Sequence, residues 1–150
     1  MMTQSLRLVF IENEFLERSQ SGAIWGSVHF EIGDQFFPDN GWTDLVSGFV
    51  TNWLDALTQI AQGKVTHQRV WFMDGPFAID LSANNHDGLA MTFLHKEVQK
   101  YLLNANVKDL HRNGIDVGKQ VIASCKQRGW TDKDVSDLSE AIKLSIEVSG

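Results

Sequence analysis

Apolar residues recur along this chain at two spacings, and the points where the spacing changes divide it into elements. Residues 6–16 (LRLVFIENEFL) and 23–32 (AIWGSVHFEI) carry the two-residue alternation of strands. In the second, Ile24, Gly26, Val28, Phe30 and Ile32 share one face. Trp25, Ser27, His29 and Glu31 share the other, which makes His29 a solvent-face or packing residue. The connector ERSQSG ends in Gly22 and predicts an antiparallel hairpin. Gly26, inside the strand, predicts a bulge or a close backbone contact.

The spacing then turns helical. Leu45, Val46, Phe49, Val50, Trp53, Leu54, Leu57 and Ile60 form a broad apolar stripe, predicting a helix over about residues 43–62. Thr43 is placed to cap its first turn, Asp44 to favour its dipole, and Gly63 to take the left-handed position after its end. Just before it, GDQFFPDNGWTDLV (33–46) turns the chain at Asp39-Asn40-Gly41 and sets Trp42 beside the start of the helix.

From Val65 to Leu103 the segments VTHQRVWFM, FAIDLS, LAMTFLH and EVQKYLL are short and rich in aromatic and β-branched residues. DGP and ANNHDG separate them, so three or four antiparallel strands continuing the N-terminal sheet are expected. Trp53 and Trp71 fall in apolar contexts and are expected in the core. After Leu103 the helical spacing returns through Val107, Leu110, Ile115, Val117, Val121, Ile122 and Cys125. Gly114 and Gly118 each weaken such a helix by about 1 kcal/mol against Ala, which leaves room for a break near Asn113-Gly114. A last stripe, Val135, Leu138, Ile142 and Ile146, follows Thr131 with Asp134 three residues on, a capping-box pattern. The order predicts a single α+β domain over residues 1–150. It has an antiparallel sheet of about five to six strands, one central helix and two C-terminal helices packed on it.

Composition narrows the function classes. The 150 residues are 43% hydrophobic and 21% charged, the balance of a globular chain with its own core. No basic leader segment and no apolar run near the ~18 residues of a membrane span is present, so a cytoplasmic protein with no membrane partner is expected. The net charge of −6 argues against a nucleic-acid partner, whose phosphates call for Lys and Arg. The charge is uneven. Between Ser19 and Gly63 there is no Lys or Arg, while Glu31, Asp34, Asp39, Asp44 and Asp55 are acidic, and the C-terminal segment adds Asp132, Asp134 and Asp137. Two acidic blocks steer a basic partner through their field.

Catalytic and metal motifs are sparse. The five His residues show no His-Glu-x-x-His spacing and the one cysteine, Cys125, reads as a small buried hydrophobe, so neither a metal nor another cofactor is expected. Asp74 and Asp80 read as a candidate carboxylate pair for acid–base work, yet Asp74-Gly75-Pro76 is also an ordinary turn. His86 and Asp87 sit together in a polar hairpin loop. A small enzyme using Asp74, Asp80 or His86 stands as the alternative to a binding protein. A structural subunit or homo-oligomer is a third reading.

The run EIGDQFFPDNGWTDLVSGFVTNWLDALTQIAQGK, followed by VWFMDGPFAIDL, resembles small bacterial immunity proteins of polymorphic-toxin and contact-dependent growth inhibition systems. IASCKQRGWTDKDVSDLSEAI is similar to the C-terminal helical portion of such families. The resemblance spans roughly residues 28–82 and 120–142 and is one of pattern. It implies a non-catalytic inhibitor that binds a cognate toxin domain, in many cases a nuclease with a basic cleft. Glu31, Asp34, Asp39, Trp42, Asp44, Asp55, Asp74, Asp132, Asp134 and Asp137 are then the candidate contact residues. Asp44 and Asp55, eleven residues apart on one helix, would lie about 16 Å from each other.

Overall fold

A computed structural model of the chain describes residues 5–84 and 86–149. Its architecture is α+β, as the spacing predicts, but the strands divide into two antiparallel sheets rather than one. The first is organised on β3 (Ile24–Ile32), whose two edges are each covered by an interrupted strand. Along one edge run β1 (Leu6–Phe10) and β2 (Leu16–Arg18), facing Val28–Ile32 and Ile24–Gly26. Along the other run β4 (Gln35–Phe37) and β5 (Thr43–Leu45). Gly26 is flanked on both sides, by Leu16 and Asp44, and a Cβ there would stand 3.0 Å from Val46 and 3.1 Å from Leu16. The expected close contact is therefore its role. Gly22, at φ +90, turns the hairpin between β2 and β3.

The central helix α1 (Val46–Ala61) begins three residues later than the stripe suggests. Thr43 and Asp44 pair with Ser27 and Gly26 as strand, so Thr43 does not cap the helix and Asp44 is not in its first turn. Leu45 takes the N-cap position and offers no side-chain acceptor. At the other end Gly63 has φ +71 and closes the helix as expected.

The second sheet is a four-stranded meander of β6 (His67–Trp71), β7 (Phe77–Ala83), β8 (Gly88–His95) and β9 (Val98–Asn106). It cannot continue the first because α1 intervenes and packs across β3, β5 and β6. An aromatic hub joins the layers. Phe30 of β3 makes edge contacts with Phe49 and Trp53 of α1, with Phe72, and with Phe93 of β8, at 5.1 to 6.3 Å. Such rings bury the most apolar area per residue and favour this edge geometry. Trp71 departs from expectation at 46% exposed. It lies on the outer face of β6, where the Arg69 guanidinium covers its ring at 5.2 Å.

Helix α2 (Val107–Gln127) runs unbroken through Gly114 and Gly118. Both glycines mark helix crossings: a Cβ on Gly114 would approach Leu54 of α1 to 2.9 Å, and one on Gly118 would approach Ile142 to 2.9 Å. Asn113 is also spoken for. Its side-chain amide donates to the Leu8 carbonyl at 3.1 Å and accepts from the Leu8 N–H at 2.7 Å, docking α2 on β1. Helix α3 (Lys133–Ser149) covers α1 and α2. One polar side chain from each helix meets at their junction, where Thr58 Oγ1 lies 3.1 Å from His111 Nε2 and 3.3 Å from Ser145 Oγ. Cys125 is buried in α2, where desolvation pushes its thiol up and away from reactivity.

Candidate partner-binding surface

Helix α3 turns Val135, Leu138, Ala141, Ile142 and Ser145 inward, which leaves Asp137, Glu140, Leu144 and Glu147 as an outward stripe at helical spacing. Helix α1 presents Thr51 and Asp55, four residues apart, beside that stripe. Between the two helices lies an open groove of about 460 Å³ lined by Asp55, Asp137, Glu140, Leu144, Glu147 and Lys143, among others. Four carboxylates thus face one lysine. The packing of α1 on α3 brings Asp55 and Asp137 together from distant points in the sequence. Desolvation first, and then repulsion from Asp137, raises the Asp55 carboxyl above its usual range. Lys133, one turn earlier on α3, pairs with Asp137 at 2.8 Å. Leu144, 42% exposed, adds an apolar contact to the charged walls.

The remaining sequence candidates scatter. Glu31 is held by Arg7 at 3.0 Å across β1 and β3. Asp34 and Asp39 are exposed in separate turns, and Asp39 accepts from the Asn40 N–H at 2.8 Å. Asp132 is clamped by Arg18, which tethers the β2–β3 hairpin to the start of α3 and lowers the Asp132 pKa. Asp134 is half-buried in the first turn of α3. Asp74 is exposed at the β6–β7 turn.

Asp44 is the largest departure. Its side chain is fully buried, so no partner reaches it. Oδ1 accepts from the N–H groups of Leu45 at 2.7 Å and Met73 at 3.0 Å; Oδ2 accepts from Trp42 Nε1 at 3.0 Å and the Asp74 N–H at 3.3 Å. Burial pushes this carboxyl up, and the four donors pull against that rise. The arrangement is an internal clasp. It ties β5 of the first sheet to the turn that leaves β6 of the second, and it fixes Trp42, which packs edge-on to Phe77 at 5.0 Å. Trp42 itself is half-buried.

The residues of the enzymatic alternative do not converge. Asp74 and His86 lie in the turns at opposite ends of β7, roughly 20 Å apart at the usual strand rise. Asp80 is engaged by Arg69 through two hydrogen bonds of 2.5 and 2.9 Å, and Glu97 holds the same guanidinium at 2.9 Å. His29 is buried, and its Nδ1 accepts from the Gly41 N–H at 3.2 Å. Among the described residues, no three His, Cys, Asp or Glu side chains cluster as metal ligands would. No described helix is long and apolar enough to cross a membrane.

Glu140 and Glu147 escaped the sequence reading, although their spacing from Asp137, three and ten residues on, places all three on one helical stripe. Compared with protein families, characterised proteins and solved structures, the chain matches none.

Proposed function

We propose that this chain is a non-catalytic immunity-type protein that binds and neutralises a cognate bacterial toxin domain in the cytoplasm. In this reading the groove between α1 and α3 takes the contact. The observation that carries it is the groove itself, a concave surface with four carboxylates on its walls and an exposed leucine among them. A basic cleft of the kind that grips phosphates presents Lys and Arg, and such a surface attracts them fast and over distance. The resemblance of residues 28–82 and 120–142 to immunity proteins supplies the class of partner. Negative charge at the contact makes a protein partner, rather than a nucleic acid, the natural ligand.

The test is co-purification of the tagged chain with the product of the neighbouring gene, followed by assay of that product's toxicity. A stoichiometric complex that abolishes the toxicity is expected. Its association should slow as salt rises, and reversing Asp137, Glu140 and Glu147 to Lys should lower the association rate by at least tenfold. If the triple variant binds and protects like the parent, the groove is the wrong surface. If no partner forms a complex or loses its toxicity, the immunity reading falls.

A further inference from the structure

The two sheets meet at an aromatic cleft that the acidic groove does not touch. Phe36 and Phe37 of β4, Phe77 of β7, His95 at the end of β8, and Lys100 and Tyr101 of β9 line a cavity of about 230 Å³. Its walls are fixed by their own packing. The Phe77 ring stacks on His95 at 4.4 Å and 10°, and meets Phe37 edge-on at 5.6 Å and Trp42 at 5.0 Å. Gly75 leaves room there, since a Cβ would come within 3.0 Å of Phe77 and 3.2 Å of Trp42. Phe37 is in turn held against Tyr101 at 6.4 Å. Phe36 remains 38% exposed at the rim, its ring edge-on to His29 at 5.3 Å. Aromatic rings of preset position and a few polar groups share this lining, a combination that small-ligand sites use.

Lys100 supplies the charge, and a backbone irregularity puts it there. Phe93 faces Tyr101 across the β8–β9 ladder while the next residue, Leu94, faces Gln99, so Lys100 has no opposite number. In a regular strand Lys100 and Tyr101 would point to opposite faces. The bulge lets both line the same cleft, as bulges near functional sites do. Lys100 is exposed and enters no ion pair among the described residues.

We propose that this cleft binds an aromatic ring that carries a free carboxylate. The ring lies against Phe77 and Tyr101 with Phe36 at the rim, and the carboxylate meets the Lys100 ammonium. The cleft has space for a phenyl ring and one small anionic group. Two sources share this chemistry: a free aromatic acid, and the C-terminal Phe or Tyr of a polypeptide. The inference is independent of the toxin-binding reading, because the cleft shares no residue with the α1–α3 groove.

Amide-resolved NMR titration of the intact protein tests it, with N-acetylphenylalanine, its amide, and a short peptide ending in Phe with a free carboxylate. The acid should shift residues 36, 37, 77, 95, 100 and 101, and the uncharged amide should bind about tenfold more weakly. Lys100→Gln, at an exposed position, should remove that difference and leave the fold intact. Binding of N-acetylphenylalanine alone assigns the site to a free acid, and binding of the peptide as tightly or more so assigns it to a chain terminus. Equal affinity for acid and amide, shifts confined to other residues, or no shift with any of the three probes would overturn the proposal.

Discussion

Asp44 and Asp55 are eleven residues apart, belong to the same basic-residue-free window, and carry the same side chain, yet they end in opposite environments. Asp44 is sealed between the two sheets and holds four N–H donors. Asp55 stands on the open face of α1 with a second carboxylate for company. Both lie outside their unperturbed range in the same direction, because desolvation disfavours the charged form at each. What separates them is compensation. Asp44 meets donors that would otherwise be unpaired, so its charge organises the fold. Asp55 meets another negative charge, which raises its energy and leaves it available to a cation from outside. An acidic run in a sequence is therefore not one feature. Its members divide according to the backbone groups that the fold brings to each.

Removing the compensated carboxylate should have the larger effect. Asp44→Ala leaves the Trp42 indole and the Met73 and Asp74 N–H groups without an acceptor, and a loss of about 3 kcal/mol is expected. Urea denaturation of the parent and the variant measures it directly. A loss under about 1 kcal/mol would show that water replaces the clasp, and the contrast with Asp55 would collapse.

Acidification sharpens the same contrast through the buried histidines. Desolvation lowers the pKa of both His29 and His111; for His29 the charges of Glu31 and Arg7 are secondary, and for His111 the Leu54 carbonyl pulls weakly the other way. Each takes up a proton less readily in the fold than in the unfolded chain, which protonates near pH 6.5. The unfolded state then binds more protons, so stability is full above that pH and falls as pH drops towards the lowered folded value. The slope is at most about 1.4 kcal/mol per pH unit per histidine. Thermal unfolding from pH 7.5 to 5 should show it, and His111→Gln should flatten part of it. A flat profile in the parent would mean that neither ring is desolvated as the structure has it.

Much of this fold is legible in the chain, for reasons that can be located. The stripe of α1, the hairpin at Gly22 and the contact at Gly26 follow from spacing and from what a side chain at those points would require. The start of α1 was not, because Thr43-Asp44 is a helix-start signature in isolation and only the pairing with Ser27 and Gly26 makes it strand. The division into two sheets depends on where α1 packs, which no local pattern carries. Gly114 looks like a weak point in the sequence because propensity counts only its backbone cost, whereas the absent Cβ is what lets α2 approach α1. Gly114→Ala should therefore lose about 1 kcal/mol by equilibrium unfolding. The gain in helix propensity only partly offsets the crowding of Leu54 at 2.9 Å. A stabilised variant would show that Leu54 yields freely. The groove is half legible: Asp55 and Asp137 stand out as acidic positions but meet only through tertiary packing, whereas Glu140 and Glu147 follow from helical spacing alone.

The smallest expected effect tests the uncompensated member of the pair. Asp55→Asn removes one of two facing negative charges and buries nothing new, so the folded protein should gain a few tenths of a kcal/mol at neutral pH. The sign follows from the raised pKa: above the folded value an ionised Asp55 costs stability relative to the unfolded chain, and the cost is relieved as pH falls through that value. The gain should thus vanish in mild acid and shrink in high salt, where screening weakens the Asp55–Asp137 repulsion. A variant that is less stable than the parent at neutral pH would mean that Asp55 finds a favourable partner in solution. The groove would then be a self-satisfied surface rather than one that holds charge in reserve for a cation. A gain in stability accompanied by a slower association with a basic partner would place both halves of the contrast in a single residue.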